Sequence, residues 1–278
     1  MMHYVKEKRK MNEQEYNAAE GIRRSDLWMM NDSPEKFRYR MDHPDTEKSP
    51  ALLFGSACHK YILEHEDFRN EYAIAPNVDK RTKAGKEEWQ KFCDENAGKT
   101  VISEDDFTVM FDMADRIIEC PLATEMLKGQ HEVPFFWTDP ETGEKCKCKA
   151  DCVKQEDGKY VIVDYKTTSS AQTDIFNREI FRYGYHFQAA MYSEGLQIVL
   201  GLDYRPRFVF VAQEKKAPYS VNVIEVSEDV MEYGSTIYHE LLRKYHECNE
   251  MDLWPGYVDD VANETQLPGW LMMGEDEI

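Results

Sequence analysis

The clearest alternation of apolar and polar positions in this chain runs through two neighbouring segments, which we predict to be paired β-strands. The segments are residues 147–154 and 160–168. Between them lies Asp157-Gly158, a favoured pair for the two-residue turn of a hairpin. Because side chains two apart on a strand point to one face, Asp164 and Lys166 share a face of the second strand. The pattern therefore predicts a hairpin that carries an acid and a base together.

The predicted turn also fixes the pairing of the two strands. With Asp157 and Gly158 as the loop residues, Asp151 lies directly opposite Asp164. Opposed residues have Cβ atoms about 4.5–5.5 Å apart, and like charges at that distance destabilise a sheet unless a cation lies between them. The other face of the first strand holds small residues that can be buried, namely Cys146, Cys148, Ala150 and Cys152. The hairpin therefore predicts a divalent metal site on its acidic face.

Helical spacing of apolar residues surrounds this hairpin. Serines followed by proline or acidic residues predict helix starts after Ser33, Ser49, Ser103 and Ser227. A further long helix is expected over residues 174–200, despite Gly184 and Gly195. Additional strands are predicted over residues 132–137, 207–212 and 219–226. We expect one α/β (α+β) domain over residues 21–257, with a flexible N-terminal arm (1–20) and a C-terminal tail (258–278).

Composition narrows the class of protein. The chain has 278 residues, of which 42% are hydrophobic, enough for a large core. No apolar run approaches the roughly 20 residues of a membrane helix, and no signal peptide is recognisable, so we expect a cytoplasmic protein without membrane contact. The seven cysteines are expected to be reduced. Cys146, Cys148 and Cys152 alternate along the first hairpin strand, and this spacing favours burial over metal binding.

The net charge of −19 opposes general nucleic-acid binding, since phosphate contacts require Lys and Arg. Local clusters of basic residues could still bind DNA. These side chains could simply form a solvated surface, or they could contact DNA: Lys80, Arg81, Lys83, Arg178 and Arg182.

Four motifs in sequence order support a specific resemblance. They are Gly55-xxx-His59, Asp151, Asp164-Tyr165-Lys166 and Gln188-xxx-Tyr192. Together they resemble the PD-(D/E)xK nuclease superfamily, and in particular its RecE-type (exodeoxyribonuclease VIII-like) members from phages and prophages. The resemblance extends from about residue 21 to residue 254 and implies a restriction-endonuclease-like core, a central mixed β-sheet flanked by helices.

The resemblance implies roles for these residues. Asp151 and Asp164, with the Tyr165 main-chain carbonyl and His59, would bind Mg²⁺, for which Mn²⁺ can substitute, and Glu132 is a further candidate ligand. Lys166 would orient or deprotonate the nucleophile and neutralise charge in the transition state. Gln188 and Tyr192 would form a hydrogen-bonding platform against DNA, with Tyr185 nearby.

Each role has a structural alternative. His59 could be a core histidine, Lys166 a salt-bridge partner of Asp164, and Glu132 an exposed strand-end acid. Gln188 and Tyr192 could pack within a helix.

The activity implied by the resemblance is 5′→3′ exonuclease digestion of double-stranded DNA ends, leaving 3′ overhangs for a RecT-type annealing protein in recombination. A closed homo-oligomeric ring, such as a tetramer, would concentrate the basic groups around DNA. The alternatives are a RecB-like nuclease of other polarity or single-strand preference, and a non-catalytic DNA-binding or assembly module.

Overall fold

A computed structural model describes residues 11–44, 49–257, 262 and 264–266 of this chain. The described residues form eleven helices: α1 (Glu13–Ala18), α2 (Arg24–Met29), α3 (Pro34–Asp42), α4 (Pro50–Leu63), α5 (His65–Glu71), α6 (Lys83–Glu95), α7 (Glu104–Ile118), α8 (Pro121–Met126), α9 (Thr173–Arg182), α10 (Tyr185–Leu200) and α11 (Glu228–Met251). Their strands are β1 (Ile22–Arg23), β2 (Tyr72–Ile74), β3 (Thr100–Ile102), β4 (Gln130–Thr138), β5 (Lys145–Glu156), β6 (Lys159–Thr168), β7 (Arg207–Glu214) and β8 (Val221–Glu225).

Six of these strands form one mixed sheet. Its order is β1-β5-β6-β7-β8, and β4 pairs with β5 along the edge predicted from its proline. β5 and β6 are antiparallel, whereas β6 and β7 are parallel. The predicted mixed α/β architecture is therefore confirmed.

Helices cover both faces of the sheet, and the side chains of the central strands alternate between two cores. Phe210 packs with Phe187 of α10 in the first core, beside α9 and α11. Val211 packs with Met113 of α7 in the second core, beside α4 and α8. Since both faces are covered, the site on the central strands is approached from one end of the sheet.

The helix starts follow their predicted capping residues. Ser33, Ser49 and Ser103 each accept a hydrogen bond from the main-chain N–H three residues later. These bonds satisfy N–H groups that have no partner within the helix. α11 begins after Ser227 as predicted, although that serine makes no side-chain cap bond.

The long helix predicted over residues 174–200 is wrong in one respect, because it is divided at Gly184. This glycine has φ +68°, in the left-handed region, and separates α9 from α10. A Cβ at Gly184 would lie 2.5 Å from the Trp28 ring. The break therefore depends on packing against α2, a contact that local helical spacing does not reveal.

The flexible arm predicted over residues 1–20 needs correction in its second half. Residues 1–10 lie outside the described residues, but α1 is capped by Asn12 and buries Tyr16. The Lys147 ammonium of β5 is also buried and donates to the carbonyls of Tyr16 at 3.0 Å and Asn17 at 3.3 Å. A cation more than a hundred residues away in sequence thus holds α1 against the sheet.

The remaining domain limits stay a prediction, and most of the proposed C-terminal tail lies outside the described residues. Along the described ranges, no helix combines the length and apolar character needed to span a bilayer.

Candidate active site

The predicted hairpin is present with the predicted register. β5 and β6 pair from Cys152–Val163 to Glu156–Lys159, around a turn in which Asp157 and Gly158 have φ of 49° and 79°. Positive φ at both central residues is the requirement of a type I′ hairpin turn.

The two strands separate beyond the Cys152–Val163 pair. From there β6 continues beside β7 as far as Thr168, while the start of β5 pairs with β1. We call the point where β5 and β6 separate, just beyond Cys152 and Val163, the fork. There, Asp151 Oδ2 accepts a hydrogen bond of 2.9 Å from the Tyr165 main-chain N–H. A carboxylate thus bonds to β6 just beyond the last pair of the β5–β6 ladder.

Asp164 is the most deeply buried acid of the fork, with 2% of its surface exposed. Its Oδ1 accepts a hydrogen bond from the Gln188 side-chain amide. Its Oδ2 is buried without a directional hydrogen bond and lies 2.5 Å from Lys166 Nζ. Burial raises the pKa of Asp164 above its ordinary value, although the Lys166 charge opposes the shift.

Lys166 lies between Asp164 and an aromatic ring. Its Nζ is 4.9 Å from the centroid of the Tyr185 ring, a cation–π distance. Burial alone would lower the pKa of Lys166, but the carboxylates of Asp164 and Asp151 outweigh burial and raise it. The two carboxylates therefore favour the ammonium form of Lys166 in this arrangement.

His59 reaches the fork from α4. Its Nδ1 lies 3.3 Å from Asp151 Oδ2, and its ring meets the Tyr165 ring edge-on at 5.1 Å. Burial alone would lower the pKa of His59, but the Asp151 carboxylate raises it. Burial likewise opposes the charge of Asp151, but His59 and Lys166 outweigh it and the Asp151 pKa is lowered. Asp151 and Asp164 thus each lie beside a basic side chain, His59 and Lys166 respectively.

Glu132 adjoins this group without joining it. Its carboxylate lies 2.5 Å from Lys149 Nζ. Glu132 has a positive φ of 51°, and the pairing of β4 with β5 skips this residue next to the fork. Burial raises the pKa of Glu132, while Lys149 opposes the shift. Ligation by Glu132 stays a prediction.

The donor atoms at the fork fit a hard divalent cation in their chemistry. Two carboxylates and an imidazole are present, and Asp164 Oδ2 is a buried oxygen that lacks a directional donor. In the part of the chain that the structure describes, however, no three His, Cys, Asp or Glu side chains are gathered closely enough to hold a metal. The carboxylates instead contact Lys166, Gln188 and His59, so metal binding would require these contacts to rearrange. The Tyr165 carbonyl as a ligand also stays a prediction.

An open cleft of about 940 Å³ leads to the fork. Its lining includes His59, Lys166, Tyr185, Glu132 and Lys149. Residues 11–13, at the start of α1, also line the cleft. The N-terminal segment is therefore part of the wall of the candidate site.

The predicted platform of Gln188 and Tyr192 is not on the surface. Gln188 is 5% exposed and its amide is bound to Asp164, while Tyr192 is half-buried and meets Phe208 edge-on. Gln188 therefore donates to an acid of the site, and DNA contact by Gln188 and Tyr192 stays a prediction. The spacing of four placed both on α10, but it did not indicate which elements they face.

The predicted DNA-binding cations differ in their surroundings. Arg81 is paired with Asp79 at 2.9 Å, Lys83 lies 3.9 Å from Glu87, and Lys80 lies over the Trp89 ring. Arg178 and Arg182 are exposed, and within the described ranges neither forms an ion pair. DNA binding by all five stays a prediction, with Arg178 and Arg182 the better placed.

The sequence motifs gave no role to Arg24 and named Tyr185 only as a neighbour of Gln188 and Tyr192. Tyr185 contacts Lys166, and its position one turn before Gln188 was the available signal. Arg24 lies 5.8 Å from the Tyr185 ring, and its Nε is buried without a hydrogen-bond partner. No sequence pattern indicated Arg24.

Comparisons with known proteins agree with this geometry. The family model described as "PDDEXK-like domain of unknown function (DUF3799)" matches residues 24–266. Curated protein sequences give no significant match. A solved structure of a "Putative exonuclease" from Eubacterium rectale is similar with a TM-score of 0.60 and 17% identity, covering 96% of this chain and 99% of that chain.

A second solved structure, of SSO0001, has a TM-score of 0.30 and 13% identity, covering 70% of this chain and 85% of that chain. At 17% identity the first structure supports a shared fold only.

Proposed function

We propose a function from the premise that this chain belongs to the family of PDDEXK-like domains of unknown function (DUF3799), and so to the PD-(D/E)xK nuclease superfamily. The proposed activity is metal-dependent hydrolysis of DNA phosphodiester bonds. One observation carries it: Asp164 and Asp151 converge on Lys166, which lines the cleft, and the buried Asp164 Oδ2 lies 2.5 Å from Lys166 Nζ. Buried charges of this kind are costly to a fold, and they cluster at functional sites.

Asp151 and Asp164 would hold the metal, with the Tyr165 carbonyl and His59 as further ligands. When bound, Mg²⁺ or Mn²⁺ supplies polarisation of the phosphate, a lower pKa for water and stabilisation of the leaving oxygen.

The protein's own groups have separate tasks. Lys166, as an ammonium, neutralises charge that develops on the phosphate and orients the attacking water. Gln188 holds Asp164 by a hydrogen bond to Oδ1, and His59 holds Asp151 at 3.3 Å. Both positioning contacts come from helices rather than loops, which favours a fixed geometry.

Within this activity we propose a 5′→3′ exonuclease acting on ends of double-stranded DNA, with 3′ overhangs passed to a RecT-type annealing protein. The structurally similar protein from Eubacterium rectale is described as a "Putative exonuclease", which agrees with an exonuclease activity for this chain. A homo-oligomeric ring would turn Arg178 and Arg182 towards DNA while the remaining acidic surface faces solvent.

The test is digestion of linear duplexes labelled at either the 5′ or the 3′ end, with Mg²⁺ present. Early release of the 5′ label as mononucleotides, with the 3′ label retained on long strands, is the expected result. Early release of the 3′ label would support the RecB-like alternative. Light scattering on the same sample would give one sharp oligomer mass, and a fully active monomer would contradict the ring.

One observation favours a non-catalytic DNA-binding module: among the described residues, no three potential ligands are gathered as a metal site. The intact Asp151, Asp164 and Lys166 argue against it. DNA binding without any cleavage over a full range of Mg²⁺ and Mn²⁺ concentrations would establish the module instead.

A further inference from the structure

A row of aromatic rings connects the protein surface to Lys166. Tyr183 follows α9, is 44% exposed, and its ring centroid lies 5.8 Å from that of Tyr185. The Tyr185 ring lines the cleft and lies 4.9 Å from Lys166 Nζ. A chain that has a phosphate at Lys166 would therefore have its neighbouring groups close to these two rings.

The junction that carries the rings is held firmly. Arg24 donates to the Tyr183 carbonyl, and its guanidinium lies 6.0 Å from the Trp28 ring and 5.8 Å from the Tyr185 ring. Gly184, between the two tyrosines, packs on Trp28 in a left-handed conformation. Rings fixed in this way lose little conformational entropy when a ligand stacks on them.

Charge near the rings suits an anionic chain, although the protein as a whole is acidic. The Arg182 guanidinium lies 5.5 Å from the Tyr183 ring, and Arg178 is exposed one turn earlier on α9. No hydrogen bond of the Tyr183 hydroxyl is found in the described part of the chain, so the ring is the part of Tyr183 offered to solvent.

Exposed aromatic rings beside arginines are the usual platform for unpaired nucleotides. Bases stack on the rings in a sequence-tolerant way while arginines contact the backbone. A groove for an intact duplex would need cations along the backbone rather than adjacent exposed rings.

We propose that Tyr183 and Tyr185, with Arg182, form a stacking platform for unpaired bases of the DNA strand whose phosphate lies at Lys166. The inference rests on the proposed nuclease function and deepens it. It places the separated strand end next to α9, and it replaces the predicted platform of Gln188 and Tyr192 with a different pair of residues.

The experiment measures binding of a forked duplex that has four unpaired nucleotides on each strand, by fluorescence anisotropy in EDTA so that no strand is cut. Two versions of this forked DNA are made. In the normal fork the unpaired nucleotides carry bases, and in the abasic fork they do not. The proteins are wild type, Tyr183→Ala, Tyr183→Phe and, as a matched control, Tyr39→Ala. Tyr39 is an exposed tyrosine of α3 that stacks on His43.

Stacking predicts that Tyr183→Ala weakens binding of the normal fork about tenfold, since one stacked base contributes roughly 1–3 kcal/mol. Tyr183→Phe should recover most of that loss, and Tyr39→Ala should bind as wild type does. On the abasic fork, wild type and Tyr183→Ala should bind alike. Melting temperatures of all variants should agree, because Tyr183 is a surface residue.

Equal losses on the normal and abasic forks would overturn the platform, since Tyr183 would then act without a base. No loss on either fork would also overturn it, and would leave the exposed rings to a partner other than DNA. In both cases wild-type cleavage of duplex DNA with Mg²⁺ would keep the proposed function standing. If wild type neither binds the forks nor cleaves DNA, both proposals fail.

Discussion

The two ends of the β5–β6 hairpin are built from the same two strands and differ in what holds them. At the turn end, main-chain pairs run without interruption from Cys152–Val163 to the Asp157-Gly158 turn. At the fork end, the ladder stops, and Asp151 accepts a hydrogen bond from the Tyr165 main-chain N–H. His59 of α4 and Gln188 of α10 reach the two acids from other elements. One end is stabilised by local geometry, whereas the other depends on charges brought together from distant parts of the chain.

The comparison predicts that stability and activity are separable along a single hairpin. Buried ionic groups often contribute little net stability, because desolvation offsets their attraction. A fork that is retained for chemistry should therefore respond to substitution mainly in turnover. The turn should respond mainly in the free energy of unfolding.

The largest effect is expected from the acids of the fork. Asp151→Asn or Asp164→Asn should lower duplex cleavage by at least about a thousandfold, since each removes a carboxylate proposed to bind the metal. Circular dichroism should show an intact fold. The free energy of unfolding should change by less than about 1 kcal/mol, because desolvation of each buried acid offsets its attraction to His59 or Lys166. Turnover within tenfold of wild type in either variant would remove that acid from the site.

A somewhat smaller loss is expected for Lys166→Ala. Single-turnover cleavage should fall roughly a hundredfold, while the Kd for duplex DNA should change less than about threefold, since the ammonium is assigned to the transition state. Equal losses in rate and affinity would show that Lys166 is a phosphate contact only.

A moderate effect is expected when Asp164 loses the hydrogen bond from the Gln188 side-chain amide. Gln188→Leu should lower turnover about tenfold and leave the Kd for DNA nearly unchanged, because a buried acceptor without its donor costs about 1–3 kcal/mol. Gln197→Leu is the matched control on the same helix, where the amide only contacts the Leu202 carbonyl at 3.4 Å. If both variants behave alike, Gln188 is a packing residue of α10.

The smallest effect on activity is expected at the turn end. Gly158→Ala should destabilise the protein by about 1 kcal/mol, because φ of 79° is costly for a residue with a Cβ. Chemical denaturation would measure this change. Turnover under native conditions should equal that of wild type, and a loss of turnover would show that the two ends are not separable.

The same comparison explains what the sequence could predict. The Asp157-Gly158 turn specified the register by local rules, and serine caps specified helix starts, so the hairpin and these helix starts were predicted correctly. Gln188 facing Asp164, and Lys147 holding α1, depend on contacts between elements far apart in sequence. Periodicity identifies the face of one element without identifying what that face meets, which is why the burial of Gln188 and the packing of α1 were not predicted.

The break at Gly184 has a similar origin. Glycine within a helical pattern is tolerated at moderate cost, so spacing alone did not favour a break. Trp28 leaves no room for a Cβ at Gly184, and beyond the break Tyr185 lines the cleft with Tyr183 beside it. The stacking platform could not be predicted for the same reason.

The most direct test of the fork as a metal-dependent nuclease site is the rate of duplex cleavage as a function of Mg²⁺ concentration, for wild type and Asp164→Asn in parallel. We predict no cleavage by wild type in EDTA, a saturable rise in rate with Mg²⁺, and no rise for Asp164→Asn at any concentration. Cleavage by wild type in EDTA, or the same Mg²⁺ dependence in both proteins, would contradict the assignment of this site.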